Sequence, residues 1–152
     1  MNLLGIIGGM SWTSTAEYYR LLNEGVAARL GGLHLARLLL HSVDFAEVAA
    51  MQKAGQWDEA GELLADAARG LQRAGAGALL LATNTMHKVA PQIEAATGVP
   101  LLHIADVTAR AIRAAGLTRV GLLGTAFTEK GLGGKPTDLS VGCRTQAARR
   151  GA

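Results

Sequence analysis

Aromatic residues are scarce in this chain of 152 residues, with two each of Phe, Trp and Tyr. Because 49% of the residues are nonetheless hydrophobic, the core must be built from Ala, Leu, Val and Ile. That apolar content excludes wholesale disorder. A single cysteine, Cys143, can close no internal disulfide, so nothing points to an oxidising compartment. Apolar runs such as residues 78–82 are strand-sized, which leaves no transmembrane helix and no membrane partner to expect. The start, Met1-Asn2-Leu3-Leu4, lacks a cationic region, and Gly8-Gly9 ends its apolar run too early for a signal peptide. A soluble cytoplasmic protein is expected, short enough for one domain.

Basic charge is absent from most of the chain as an excess. Residues 1–128 hold 10 Lys/Arg and 10 Asp/Glu. The net charge of +3 arises entirely in residues 129–152, where Lys130, Lys135, Arg144, Arg149 and Arg150 outnumber Glu129 and Asp138. A basic tail on a neutral body is not a phosphate-tracking face, so no nucleic-acid partner is expected.

What is present is an alternation of short apolar runs and longer amphipathic ones. Leu3-Leu4-Gly5-Ile6-Ile7 reads as a buried strand. After the turn Gly8-Gly9-Met10-Ser11-Trp12, the run Ser14-Thr15-Ala16-Glu17 has the form of a capping box. The helix it opens should run to about Leu30 and stop at Gly31-Gly32. Residues 36–40 predict a second strand. Residues 57–74 predict a helix with Leu63, Leu64, Ala67, Ala68 and Leu71 on one face. Strands follow at 78–82, 101–104 and 119–123, separated by helical stretches reaching about Ala96 and covering 107–115. Strict alternation with crossovers of this length predicts an α/β three-layer sandwich, a five-stranded parallel sheet flanked by helices. Beyond Thr125 the pattern fades. The expected division is a first α/β domain over 1–128 and a basic, poorly ordered tail over 129–152.

In open parallel sheets, ligands bind beyond the carboxyl ends of the strands. Three turns at such ends are rich in small and hydroxyl residues: 8–11, 83–85 and Gly124-Thr125. Each places backbone N–H groups near a helix start, which suits a carboxylate or phosphate. Each would serve equally as an ordinary capping turn. Neither a Gly-x-Gly-x-x-Gly fingerprint nor a Gly-Lys-Ser/Thr phosphate loop occurs. His34, His41, His87 and His103 have no metal-ligand spacing, so no metal is expected. His103 reads as a packed strand histidine, and His87 is the one placed near a site. Cys143 reads as an incidental thiol in the tail.

Several motifs carry a resemblance. Gly5-Ile6-Ile7-Gly8-Gly9-Met10-Ser11-Trp12, Ser14-Thr15, Tyr18-Tyr19-Arg20, His41-Ser42-Val43-Asp44-Phe45 and Thr83-Asn84-Thr85-Met86-His87-Lys88 occur in order over residues 3–127. Together they resemble the aspartate/glutamate racemase family, amino-acid racemases that use no pyridoxal phosphate. The resemblance implies no cofactor, an acidic amino acid as substrate, and two pseudo-symmetric α/β domains. It also implies one acid/base residue from each half, typically a cysteine in a Cys-Asn-Thr turn and another in a Gly-Cys-Thr-Glu turn. Thr83 stands here at the first position, as in the subgroup in which a hydroxyl replaces one thiol. A hydroxyl is a far weaker acid than a thiol, so the resemblance implies an asymmetric site that prefers one enantiomer, the L form.

No Gly-Cys-Thr-Glu occurs in the sequence, and the second catalytic cysteine is not carried onto Cys143. The chain reads as a first half continuing in unrelated Arg/Gly-rich residues, as a frameshift in the gene would produce. Inactivity in isolation is therefore expected. Met10, Ser11, Asn84 and Thr85 are candidates to hold the substrate carboxylate through backbone N–H groups. Gln52, placed just after the second strand, aligns with a family position that contacts the side-chain carboxylate, and reads equally as a surface glutamine. Thr125 would add a hydroxyl. A homodimer is expected, since family members commonly pair. Two other readings stay open: a non-catalytic domain binding a small carboxylate or a partner chain, and a maleate isomerase or decarboxylase-like relative.

Overall fold

The uninterrupted apolar run at the start becomes the strand β1 (Leu4–Gly8), in which every residue after Leu4 is buried. Burial on both faces is what a central parallel strand requires. In the computed structural model, which describes residues 2–122 and 140–143, β1 lies between two parallel neighbours. On one side it pairs with β2 (Leu38–Ser42) in the register Leu4↔Leu38 to Gly8↔Ser42. On the other it pairs with β3 (Ala78–Leu81), from Leu4↔Ala78 to Ile7↔Leu81. The strand β4 (Leu101–Leu102) adds to β3, giving a four-stranded parallel sheet of order β2-β1-β3-β4.

Two glycines show that both faces of β1 are covered. A Cβ at Gly5 would press on Leu71, Ala76 and Leu79, whereas one at Gly8 would press on Thr15 and Leu40. Leu71 belongs to α3 (Trp57–Arg73) and Thr15 to α1 (Trp12–Leu30), so the sheet is sandwiched between helices. The α3 face is the densely packed one. Ala60, Gly61, Leu64, Ala65, Ala67, Ala68 and Leu71 are buried at helical spacing. Its exposed side carries an ion-pair cluster of Arg69 with Glu62 and Asp66. Two further helices, α2 (Phe45–Ala54) and α4 (Ala90–Ala96), pack against α3.

The described residues fall into two compact units. The first is Met1–Thr83 with Val89–Leu102, and holds the sheet and helices just described. The second is Asn84–Lys88 with His103–Ala152. It contains α5 (Ile104–Ala114) and a two-stranded parallel sheet of β5 (Arg119–Leu122) with β6 (Ser140–Cys143). The domain boundary expected at 128/129 lies outside the described residues.

The α/β class with a parallel sheet stands, but several details differ from expectation. The fifth strand does not extend the first sheet; it pairs with β6, a strand of four residues too short to show a period. Cys143 accordingly closes β6. Helix α2 was not foreseen. The strand expected at 36–40 lies two residues later, because its ends are set by pairing with β1. Helix α1 starts at Trp12, with Ser11 as the capping residue whose side chain accepts from the Ser14 N–H. The run 14–17 therefore lies inside the helix, and Glu17 pairs with Arg20 instead of reaching back to a cap. The stop at Gly31, with φ 72°, is where the glycine pair placed it.

Candidate functional site

The order β2-β1-β3 makes the chain leave β1 in one direction and return on its other side. The carboxyl ends of β1 and β3 are therefore the topological switch point, where crevices open in doubly wound sheets. The turn after β1 and Thr83 both belong to the first unit and leave these two adjacent strands. Ala82 keeps the strands together to the last residue, its N–H donating to the Ile7 carbonyl at 2.9 Å.

The turn after β1 is tightly built. Gly9 takes φ 91°, and a Cβ there would collide with the backbone of Val43, so no other residue fits. The Gly8 carbonyl accepts from the Val43 N–H at 3.0 Å, which ties the turn to the end of β2. Thr15 fixes its other side. The buried hydroxyl accepts from the Gly9 N–H at 3.0 Å and donates to the Ser11 carbonyl at 3.1 Å. Met10 is buried beneath the turn and Ser11 is half-buried at its rim. Ser11 Oγ also meets Thr13 Oγ1 at 2.6 Å. The first-turn N–H groups of α1 thus start beside the end of β1, with the positive end of the helix dipole.

Thr83, half-buried, lies two positions beyond the end of β3. In the second unit, Asn84 is exposed and Thr85, half-buried, opens a 3-10 turn (Thr85–Val89). The Asn84 carbonyl accepts from the His87 N–H at 3.2 Å, closing that turn. Gln52 lies in the last turn of α2, half-buried, ten positions past the end of β2 rather than just after it. Its carbonyl accepts from the Gly55 N–H at 3.3 Å. Thr125 lies outside the described residues. The structure therefore brings Met10, Ser11 and Thr83 to adjacent strand ends and sets Gln52 on a helix packed against α3.

Two further residues escaped sequence reading. Thr15 reads as half of a capping pair, whereas it is the hydroxyl that holds the β1 turn. His103 is not a strand residue. It is the capping residue of α5, its Nδ1 accepting from the Ala105 N–H at 3.2 Å. The signal was Asp106, three positions on, in the first turn of a helix.

An open cavity of about 480 Å³ runs along α1, where the described lining is Thr13, Ser14, Glu17, Tyr18 and Leu21. None of the candidate residues lines it among the described residues. Charges on this flank are paired. Arg20 bridges Glu17 at 2.5 Å and Glu24 at 2.6 Å, and its hydrogen bond holds the Glu17 carboxyl below its usual range. Burial pushes the Tyr18 phenol up. Among the described residues no three His, Cys, Asp or Glu side chains gather as a metal site, and no helix is long and apolar enough to cross a membrane.

The fold and motifs have known counterparts. The sequence profile of the Asp/Glu/Hydantoin racemase family matches residues 7–134. A candidate Asp/Glu racemase from Yersinia pestis superposes with a TM-score of 0.88 at 49% identity, covering 96% of this chain and 66% of its own. An aspartate racemase homologue from Pyrococcus horikoshii OT3 gives 0.79 at 30% identity, again covering 96% and 66%. The aspartate racemase of Picrophilus torridus shares the fold, with a TM-score of 0.76 at 20% identity over 94% of this chain and 62% of its own. The chain thus spans just under two thirds of the length of these relatives. With a profile match over most of its length and a relative at 49% identity, the chain belongs to the Asp/Glu/hydantoin racemase family.

Proposed function

We propose that the chain carries one half of a cofactor-independent racemase site for acidic amino acids, with Thr83 as the acid/base residue of that half. The observation that carries this reading is the pairing of β1 with β3, which sets the turn at Met10-Ser11 and Thr83 on adjacent strand ends. Removing an α-proton beside a carboxylate creates an enediolate, and without an electron sink the site must stabilise it with preorganised donors. Backbone N–H groups around Met10-Ser11 and Asn84-Thr85 take that role in this reading. Gln52 and Thr125 are its candidates for the substrate's second carboxylate. As a neutral donor Gln52 would orient that group without a full ion pair.

Inversion requires a proton taken on one face and delivered on the other by two groups aimed at one carbon. Thr83 serves one face. Its hydroxyl yields a proton less readily than a thiol and needs a neighbouring base to accept one. The proposed site is therefore asymmetric and favours the L enantiomer. The 152-residue polypeptide alone, with one such group, is expected not to racemise. Cytoplasmic location and no nucleic-acid partner complete the reading. A homodimer also belongs to it, supported by apolar side chains left in solvent on α1 and after it, with Trp12 75% and Leu33 99% exposed.

The test is a chimera in which residues 1–134 continue into the remaining third of the Yersinia pestis relative. Incubated with L-aspartate or L-glutamate in deuterated water, it is expected to wash out the α-proton and form the D enantiomer. Thr83→Ala is expected to abolish both. A folded chimera that racemises equally well with Thr83→Ala overturns the assignment of Thr83. A chimera that binds the amino acid without exchanging its proton favours the non-catalytic carboxylate-binding reading. Full racemisation by the 152-residue polypeptide alone overturns the need for a second group.

A further inference from the structure

Two histidines of the second unit form an arrangement that the racemase reading does not use. His87 and His103 are each only 4% exposed. Their ring centroids lie 4.4 Å apart with planes at 64°, an edge-to-face contact. Each accepts a hydrogen bond from the backbone at the start of α5. Ile104 donates its N–H to His87 Nε2 at 3.3 Å, and Ala105 donates to His103 Nδ1 at 3.2 Å. These two consecutive N–H groups have no partner within the helix.

An accepting ring nitrogen carries no proton. His87 is therefore a neutral imidazole protonated at Nδ1, and His103 one protonated at Nε2. His87 engages the backbone twice. Its own N–H closes the turn on the Asn84 carbonyl at 3.2 Å, and its ring receives the first N–H of α5. The His87 side chain thus ties the turn at Asn84-Thr85 to the helix.

We propose that His87 is a positioning residue, a neutral imidazole clasp that fixes the Asn84-Thr85 turn to the first turn of α5 and lets go when protonated. A proton on Nε2 turns that nitrogen from acceptor to donor and sets it against the Ile104 N–H. The charged residues of the two elements forming the clasp are Lys88 on the turn and Asp106, Arg110 and Arg113 on α5. Lys88, adjacent in the chain, and the positive end of the α5 dipole both oppose an imidazolium at His87. Two imidazolium rings this close repel, so acid loads a first proton and strains the pair before a second arrives. Once His87 Nε2 takes up a proton, the clasp opens.

That the clasped turn holds a substrate carboxylate rests on the racemase reading; the clasp itself does not, and its test uses no substrate. In the 15N-labelled full chain, long-range proton–nitrogen correlations at pH 7.5 are expected to show His87 protonated at Nδ1. The Ile104 amide is expected to be protected from exchange at pH 7.5. That protection should fall at least tenfold by pH 5, after correction for intrinsic rates, while amides of α3 stay protected. His87→Gln places Oε1 near the accepting position without a titrating group, so protection should persist and its pH dependence vanish. His87→Leu should remove the protection at every pH. Protonation of His87 at Nε2 at pH 7.5 would overturn the proposal. So would pH-independent protection in the wild type, or an unchanged pH dependence in His87→Gln. Failure of the racemase chimera leaves all these readouts standing, so the two readings fail separately.

Discussion

Helices α1 and α3 cover the same sheet, yet they are built on different terms. Of the 19 residues of α1 only Thr15 is buried, whereas α3 buries seven residues in 17. Leu21 and Leu30 of α1 are 50% and 57% exposed, and Leu64 of α3 is fully enclosed. The lesson is a division of labour. Stability of the first unit resides on the α3 side, where Leu64, Leu71, Leu79 and Ile93 close the core. On the α1 side what is fixed is the end of the helix: Thr15 and Ser11 hold the turn where the candidate chemistry sits, and the remaining turns of α1 stand largely in water.

The largest expected effect breaks this comparison if it fails. Leu64→Ala or Ile93→Ala should cost about 2–5 kcal/mol in chemical denaturation, from lost transfer energy and the cavity left behind. Leu21→Ala and Leu30→Ala should stay within about 0.5 kcal/mol, as exposed substitutions do. Equal losses on both helices would mean that α1 is buried in solution, as the proposed homodimer would make it, and the losses would then depend on protein concentration.

Gly9→Ala sharpens the picture at the turn. A side chain there meets both an unfavourable φ and the Val43 backbone, so destabilisation of about 1–3 kcal/mol is expected by the same assay. Ser11→Ala, which removes the side-chain acceptor of the Ser14 N–H, should cost about 1 kcal/mol. The smallest effect is one of pH. Burial raises the Tyr18 phenol above its unfolded value, so its contribution is complete below the ordinary phenol range near 10 and is lost as pH rises through the raised folded value. Tyr18→Phe should flatten that alkaline loss. A wild-type stability that does not change between pH 9 and 11 would contradict it.

How far the sequence foretold this structure differs along the same divide. Helix α3 was legible because one buried face at helical spacing leaves a clear period, and four of the five residues expected on that face are buried. The strand β1 and the stop at Gly31 were legible for equally local reasons. Helix α2 was missed although Asp44 caps it and Glu47 stands three positions later, a pattern that sequence does carry. The start of α1 was misread by three residues because Ser11, Ser14 and Thr15 are all capping types, and only tertiary structure decides among them. Thr15 is drawn to Gly9 and Ser11, which leaves Ser11 as the cap. At the candidate site, the strand-end positions of Met10, Ser11 and Thr83 followed from the alternation of elements. The place of Gln52 did not, since it depended on a helix that had not been read.

The central claim, that the switch point between β1 and β3 binds the carboxylates of an acidic amino acid, is tested most directly by amide chemical shifts. Titrating L-aspartate into the 15N-labelled chain should move the amides of Ser11, Thr83, Asn84 and Thr85 in a saturable way. Those of α3 should stay in place. Saturable shifts confined to α3 and α4, or none at the four named residues at any concentration, would contradict the account.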